Sequence, residues 1–280
     1  TSNALKKKLR AVVENTKKVF LDEHSKTIYN LITHNKKNHF KINELVFSAN
    51  DYVPYLNPSK EELIIENKKF LKDKDGIETD QGLFLSSILS HQEEGNHLCH
   101  SMLLPSQLAK EKMDEFKTNK KVQFDGASVK KYDKHIIVTL ENKQYLNAED
   151  ERTLLPLEAA IDLAILDDDT EICVLRGEKV DHPKYADKRT FGAGINLTHL
   201  YQGKISFLWY IIRDMGAVNK VFRGIANTDT SPENSLFPIK EKPWIATLDT
   251  FAIGGGCQYL LVMDHIMAED QSYMTLPARK

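Results

Sequence analysis

Residues 242–264 read KPWIATLDTFAIGGGCQYLLVMD, and this stretch fixes the fold class. An apolar, β-rich run (Trp244, Ile245, Ala246, Leu248) passes through Phe251, Ala252 and Ile253 into three consecutive glycines, Gly254, Gly255 and Gly256. Residues 257–263 are then apolar enough for a buried helix. Three glycines between a buried strand and a buried helix are costly in backbone entropy, so such a corner serves close approach or positive φ. A helix that starts there points unpaired N–H groups outward, with the positive end of its dipole behind them. That arrangement suits a phosphate or a developing oxyanion, and it equally suits a tight corner packed on a neighbour.

Working outward, the preceding segments supply the other members of an α/β layer. Residues 122–124, 127–132 and 136–140 have strand composition. Residues 147–150 (NAED) read as an acidic helix start, and 154–166 as an amphipathic helix. The segment 171–176 (EICVLR) is the next strand, so the order strand, helix, strand predicts a right-handed crossover. A second glycine corner follows in Phe191-Gly192-Ala193-Gly194-Ile195-Asn196. Residues 205–225 predict one long amphipathic helix carrying Arg213, Lys220 and Arg223, residues 227–238 a loop or lid, and residues 266–268 a short strand. Upstream, helices are predicted over 5–33, 42–47, 61–71, 80–90 (with Asp80 as cap) and 108–116. The expected organisation is a helical N-terminal domain or arm, 1–121, ahead of an α/β domain, 122–280.

With 280 residues, 41% hydrophobic and 28% charged, the chain has the composition of a globular protein with a large core. A net charge of -2 and the lack of a basic, aromatic-interleaved stripe give no reason to expect nucleic acid. No apolar run approaches the roughly 20 residues of a membrane span, and no signal-peptide pattern opens the sequence. Cys99, Cys173 and Cys257 are widely spaced and read as reduced thiols, consistent with a cytoplasmic protein. His97, Cys99 and His100 are close in sequence, but with no second cluster they read as packing or surface residues, and no metal site is expected.

Two glycine corners in one α/β layer place two backbone donors where they can converge on a single carbonyl oxygen. From residue 122 onward the sequence resembles the crotonase (enoyl-CoA hydratase/isomerase) superfamily. The signatures are Phe191-Gly192-Ala193-Gly194-Ile195-Asn196 and Ala252-Ile253-Gly254-Gly255-Gly256-Cys257-Gln258. The resemblance implies a crotonase-like ββα spiral core and an acyl-CoA substrate. It also implies an oxyanion hole from the N–H groups of Ile195 and Gly255, with Ala193, Gly194 and Gly254 shaping the acyl site. Related chains continue beyond the point corresponding to Lys280, so part of that fold is expected to lie outside this sequence. They form homo-oligomers, trimers or dimers of trimers.

Departures from the hydratase pattern point to a different reaction. Gln258 stands where hydratases carry a glutamate, and an amide cannot act as a carboxylate base. Asn196 stands where many carry an aspartate. The sequence is similar instead to the cofactor-independent 3,5-dihydroxyphenylacetyl-CoA dioxygenase branch of secondary metabolism, including its helical N-terminal region. The shared stretches include Asp80-Gln81-Gly82-Leu83-Phe84-Leu85, Leu146-Asn147-Ala148-Glu149-Asp150 and His182-Pro183. This similarity implies that Glu149 contacts the aryl end of the substrate, that Arg213 supports the site and that Gln258 lies near the reacting carbon. It further implies O2 as co-substrate and no metal or flavin. Ile195, Leu197 and Ile253 read either as ordinary core, the commoner role for such residues, or as pocket-wall residues. The alternatives are an enoyl-CoA hydratase or isomerase, and a non-catalytic CoA-binding subunit.

Overall fold

Six α-helices come first in the computed structural model, which describes residues 3–229 and 240–276. They are α1 (Asn3–Ile32), α2 (Ile42–Tyr52), α3 (Lys60–Glu66), α4 (Thr79–Leu89), α5 (Gln92–Leu103) and α6 (Gln107–Asn119). Ser59 caps α3 by accepting from the Glu62 amide, and Ser106 caps α6 by accepting from that of Ala109. Asp80, expected as a cap, sits inside the first turn of α4, where its carboxylate takes donors from Arg10 and Lys17 of α1. Helix α5 is an element that the hydrophobic spacing missed. It carries His97 and His100 fully buried, His97 bonded to Tyr29 and His100 to the Asn227 carbonyl.

The second half of the chain is a mixed sheet with helices. Strands β1 (Lys121–Gln123), β2 (Ala127–Lys131) and β3 (His135–Leu140) form an antiparallel meander. Strand β4 (Ile172–Gly177) pairs parallel to β3, and α7 (Glu151–Leu166) makes the crossover between them. The run 244–253, expected as one strand, divides at a bend: β5 (Trp244–Leu248) pairs parallel to β4, and β6 (Phe251–Ile253) leaves the sheet. After α11 (Gly255–Leu261), β7 (His265–Ala268) returns parallel to β5, and β8 (Tyr273–Thr275) pairs parallel to β6. The main sheet therefore runs β1-β2-β3-β4-β5-β7, and the bend frees β6 to meet the other glycine corner. This is the expected α/β class behind a helical N-terminal region.

Between β4 and β5 lie α8 (Leu197–Tyr201), α9 (Phe207–Arg213) and α10 (Asn219–Arg223). The single long helix expected over 205–225 is continuous over 207–223, but it contains a π-helical turn at Asp214–Val218. On an unbroken α-helix, residues seven apart share a face. The wider turn rotates Arg213 and Lys220 onto different partners, and both are buried rather than solvent-facing. Lys220 donates to Glu158 and Asp162 of α7 at 2.6 Å each. Lys41, at the start of α2, approaches Glu158 at 3.7 Å and donates to the carbonyls of Met102 and Leu104. Burial, and then the neighbouring Lys220 charge, lower the Lys41 pKa to about 8. The expected loop or lid at 227–238 lies mostly outside the described residues.

Apolar packing crosses between the two halves. Leu208, Ile211 and Met215 join the core of α1, α2 and α4, while Ala109 and Phe116 of α6 join the core under the sheet.

Candidate active site

Backbone ladders bring the two glycine corners together. Gly192 bridges Ala252 in parallel, the Phe191 amide donates to Phe251 and the Ile253 amide donates to Gly192 at 3.0 Å. The fit leaves no room for side chains. A methyl group on Gly256 would stand 2.8 Å from the Gly192 carbonyl oxygen. One on Gly194, whose φ is +77°, would stand 2.7 Å from the Ile253 oxygen and 3.0 Å from the Gly255 nitrogen. Glycine is required at both positions by contact between corners that lie some 60 residues apart in sequence.

The same geometry orients two amides. Glu149 bridges Ile195 in parallel: its N–H donates to the Gly194 carbonyl at 2.7 Å, and its own carbonyl accepts from the Asn196 N–H at 2.8 Å. In such a ladder the intervening residue turns its own N–H to the other side. The Ile195 amide therefore faces away from Glu149, and Ile195 lines a cavity of about 240 Å³. Gly255, the first residue of α11, lines that cavity too, with an N–H that has no intrahelical acceptor. Neither amide has an acceptor among the described residues. Two such donors beside one cavity can stabilise negative charge on an oxygen placed between them.

Arg213 organises the cavity wall. Its guanidinium donates to both carboxylate oxygens of Glu149 (2.9 and 2.7 Å), to Asp214 (2.9 Å), to Gln258 Oε1 (2.7 Å) and to the Gly255 carbonyl (2.7 Å). It stacks over the Tyr259 ring at 4.6 Å and lies 5.8 Å from the Trp209 ring. Burial opposes its charge, but Glu149 and the other partners outweigh that and raise its pKa. A guanidinium has no acceptor, so the Gln258 amide must present its oxygen to Arg213 and its two N–H donors elsewhere. Burial holds the Tyr259 hydroxyl well above the usual tyrosine range, and that hydroxyl has no partner among the described residues.

Of the residues singled out from sequence, Ile195, Arg213, Gly254, Gly255 and Gln258 line this one cavity. Gly194 packs behind it, and Glu149 is joined to it through Arg213. Ala193 is half-buried in the first corner and is not a lining residue. Of the three residues read as core or pocket wall, only Ile195 lines it: Leu197 is exposed on α8, and Ile253 is engaged through its backbone. Glu149 precedes α7 instead of starting it, because Leu146 and Asn147 take left-handed conformations and Asp150 is the cap. Trp209, Tyr210, Asp214 and Leu276 also line the cavity, and sequence reasoning did not select them. The spacing of Trp209 and Arg213, four apart on one helix, was the available signal for the first.

Asn196 has a local explanation. It caps α8 through the His199 amide, and its Nδ2 donates to Asp150 at 2.9 Å. Asp150 also accepts from Asn142 and lies 2.9 Å from His199. An aspartate at 196 would set two carboxylates face to face. Among the described residues, no group of three or more His, Cys, Asp or Glu side chains is arranged to hold a metal ion, and no helix is long and apolar enough to cross a membrane.

The decisive comparison is with (3,5-dihydroxyphenyl)acetyl-CoA 1,2-dioxygenase of Amycolatopsis orientalis, which is 38% identical over 260 residues, 92% of this chain. This chain is similar to that dioxygenase. It spans 59% of the dioxygenase's length. Solved structures give more distant matches. An enoyl-CoA hydratase/isomerase from Xanthobacter autotrophicus Py2 has a TM-score of 0.42 at 18% identity, over 54% of this chain and 49% of that one. An enoyl-CoA hydratase from Mycobacterium tuberculosis H37Rv has a TM-score of 0.37 at 22% identity, over 55% and 49%. No family model matches the chain.

Proposed function

We propose that this chain carries the enolate-stabilising site of a cofactor-independent oxygenase acting on an arylacetyl-CoA of the 3,5-dihydroxyphenylacetyl type. The observation that supports this reading is that Ile195 and Gly255, whose amides have no acceptor among the described residues, line one cavity in a chain similar to a dioxygenase named for such a thioester. The thioester oxygen sits between the two amides. Charge gathers on it when the α-carbon loses a proton, and the amides then bind it more strongly than they bind the ground-state carbonyl. The electron-rich enolate passes an electron to O2, and recombination forms a C–O bond at the α-carbon. The terminal peroxide oxygen attacks the thioester carbonyl and expels CoA. Cleavage of the O–O bond with loss of the remaining α-hydrogen leaves an arylglyoxylate. Substrate and O2 together supply every atom of the arylglyoxylic acid and CoA thiol, and O2 is the oxidant.

In this reading Arg213 fixes Glu149 and Gln258. Each Glu149 oxygen keeps a lone pair for an aryl hydroxyl, and the Gln258 amide N–H groups face the reacting carbon. Hydration of an enoyl-CoA is disfavoured by the same contacts, since position 258 offers no carboxylate and Glu149 is committed to Arg213.

The test is an oxygen-electrode measurement with 3,5-dihydroxyphenylacetyl-CoA and a chelator. The expected result is one O2 consumed per CoA thiol released, with arylglyoxylate formed. Loss of enoyl absorbance on an enoyl-CoA, without oxygen uptake on the aryl thioester, would assign a hydratase instead. Binding of CoA with neither turnover would leave a non-catalytic subunit.

A further inference from the structure

Helix α9 brings two adjacent aromatic side chains to the candidate site. Trp209 and Tyr210 line the same cavity of about 240 Å³ as Ile195 and Gly255, with Arg213 and Asp214 one turn further along. Residues four apart share a helix face, so the helix itself sets this stripe. The two rings stand at 89° with centroids 5.2 Å apart, an edge-to-face pair that makes a right-angled corner. Trp209, only 3% exposed, is held in place from several sides. Its amide donates to the Ser206 hydroxyl, its ring packs with Leu154 and Ile205, and the Arg213 guanidinium lies 5.8 Å from that ring. Tyr210 is 41% exposed and so offers ring surface to a bound molecule.

We propose that this corner is the aryl subsite, which selects an aromatic acyl group over an aliphatic one and holds its ring in the plane of the enolate. The assignment rests on the reaction proposed above. One methylene separates the ring of an arylacetyl thioester from its carbonyl carbon. With the carbonyl oxygen between the Ile195 and Gly255 amides, the ring must lie in the same cavity. Aromatic pairs favour offset-stacked or edge-to-face contacts, and a right-angled corner offers both to one entering ring. Loss of the α-proton makes that carbon planar, and its charge spreads into the ring only while ring and enolate are coplanar. A ring held by two walls is ordered before the proton leaves, whereas a loose one must be ordered during the reaction. An aliphatic chain gains neither effect. Trp209 and Tyr210 thus act on the choice of acyl group and on the rate of enolate formation.

Anaerobic exchange of α-hydrogen for deuterium in D2O, followed by mass spectrometry, reads enolate formation apart from the oxygen step. The probes are 3,5-dihydroxyphenylacetyl-CoA and butyryl-CoA. The quantity compared is the ratio of their exchange rates, from which the active fraction of each preparation cancels. Trp209→Leu and Tyr210→Leu should each lower that ratio about tenfold, the upper range for an aromatic pair, while Trp209→Phe and Tyr210→Phe keep it within about threefold. Tyr210 is the more exposed of the two, so its variants read the subsite even where Trp209→Leu folds poorly. A ratio unchanged in both leucine variants, or lowered as far by phenylalanine as by leucine, would overturn the subsite and leave the enolate chemistry standing. A parent chain that exchanges neither thioester and takes up no O2 with the first would overturn the proposed reaction and the subsite together.

Discussion

Arg213 is the side chain on which the candidate site turns, because one guanidinium satisfies Glu149, Gln258 and the Gly255 carbonyl together. Lysine cannot reproduce that fork. Arg213→Lys is therefore expected to keep the fold while cutting turnover of the aryl thioester by about 10² or more, the scale of losing an oriented donor. Arg213→Met leaves the Glu149 carboxylate buried and unpaired. It should cost about 3–5 kcal/mol, read as a lower urea midpoint. Gln258→Glu would set a carboxylate in contact with the same guanidinium, which holds it ionised and makes it a weak base. No enoyl-CoA hydration above background is expected from that variant, and a clear gain in enoyl absorbance loss would contradict the arrangement. None of these roles was legible from spacing: Glu149 and Arg213 are 64 residues apart, and nothing local marks an ion pair that only the fold creates. The glycine corners were legible, because three adjacent glycines between apolar runs have few other uses.

At the scale of elements, most strands and helices followed from hydrophobic periodicity, while the sheet order came only from the structure. The failures have physical causes. Helix α5 (QEEGNHLCHSML) was missed because its buried face includes Glu94, His97, His100 and Ser101 as well as leucines. The π turn was missed because 3.6-residue spacing cannot register one widened turn whose consequence lies in distant partners. That turn gives Lys220 its role, joining α10 to α7 inside the core. Lys220→Met should destabilise by about 3–5 kcal/mol, because Glu158 and Asp162 lose their buried counter-charge. Adding Glu158→Gln and Asp162→Asn should recover part of that loss, measured as a denaturation midpoint in a mutant cycle.

Across the whole molecule, the helical region and the α/β region share cores at α9 and α6, so expression of 122–280 alone is expected to give a poorly folded, dye-binding species. A buried histidine group in the helical region adds a pH dependence. His39 stacks on His97 at 4.6 Å and lies near His100; Tyr29, Lys36, Glu94 and Cys99 surround them. Burial, then the neighbouring histidines, lower the His97 pKa from 6.5 to about 4, and burial lowers that of His39. The folded state thus binds fewer protons than the unfolded one between those values. This contribution to stability is whole above about pH 6.5 and is lost as pH falls toward 4. The urea midpoint should be lower at pH 5 than at pH 7, and His97→Gln should flatten the difference. The proposed chemistry requires two amides to meet at one oxygen. A crystal structure with a non-reactive arylacetyl-CoA analogue tests that directly: the carbonyl oxygen should lie about 2.7–3.1 Å from both the Ile195 and Gly255 nitrogens. An acyl group bound with its carbonyl away from either amide would contradict it.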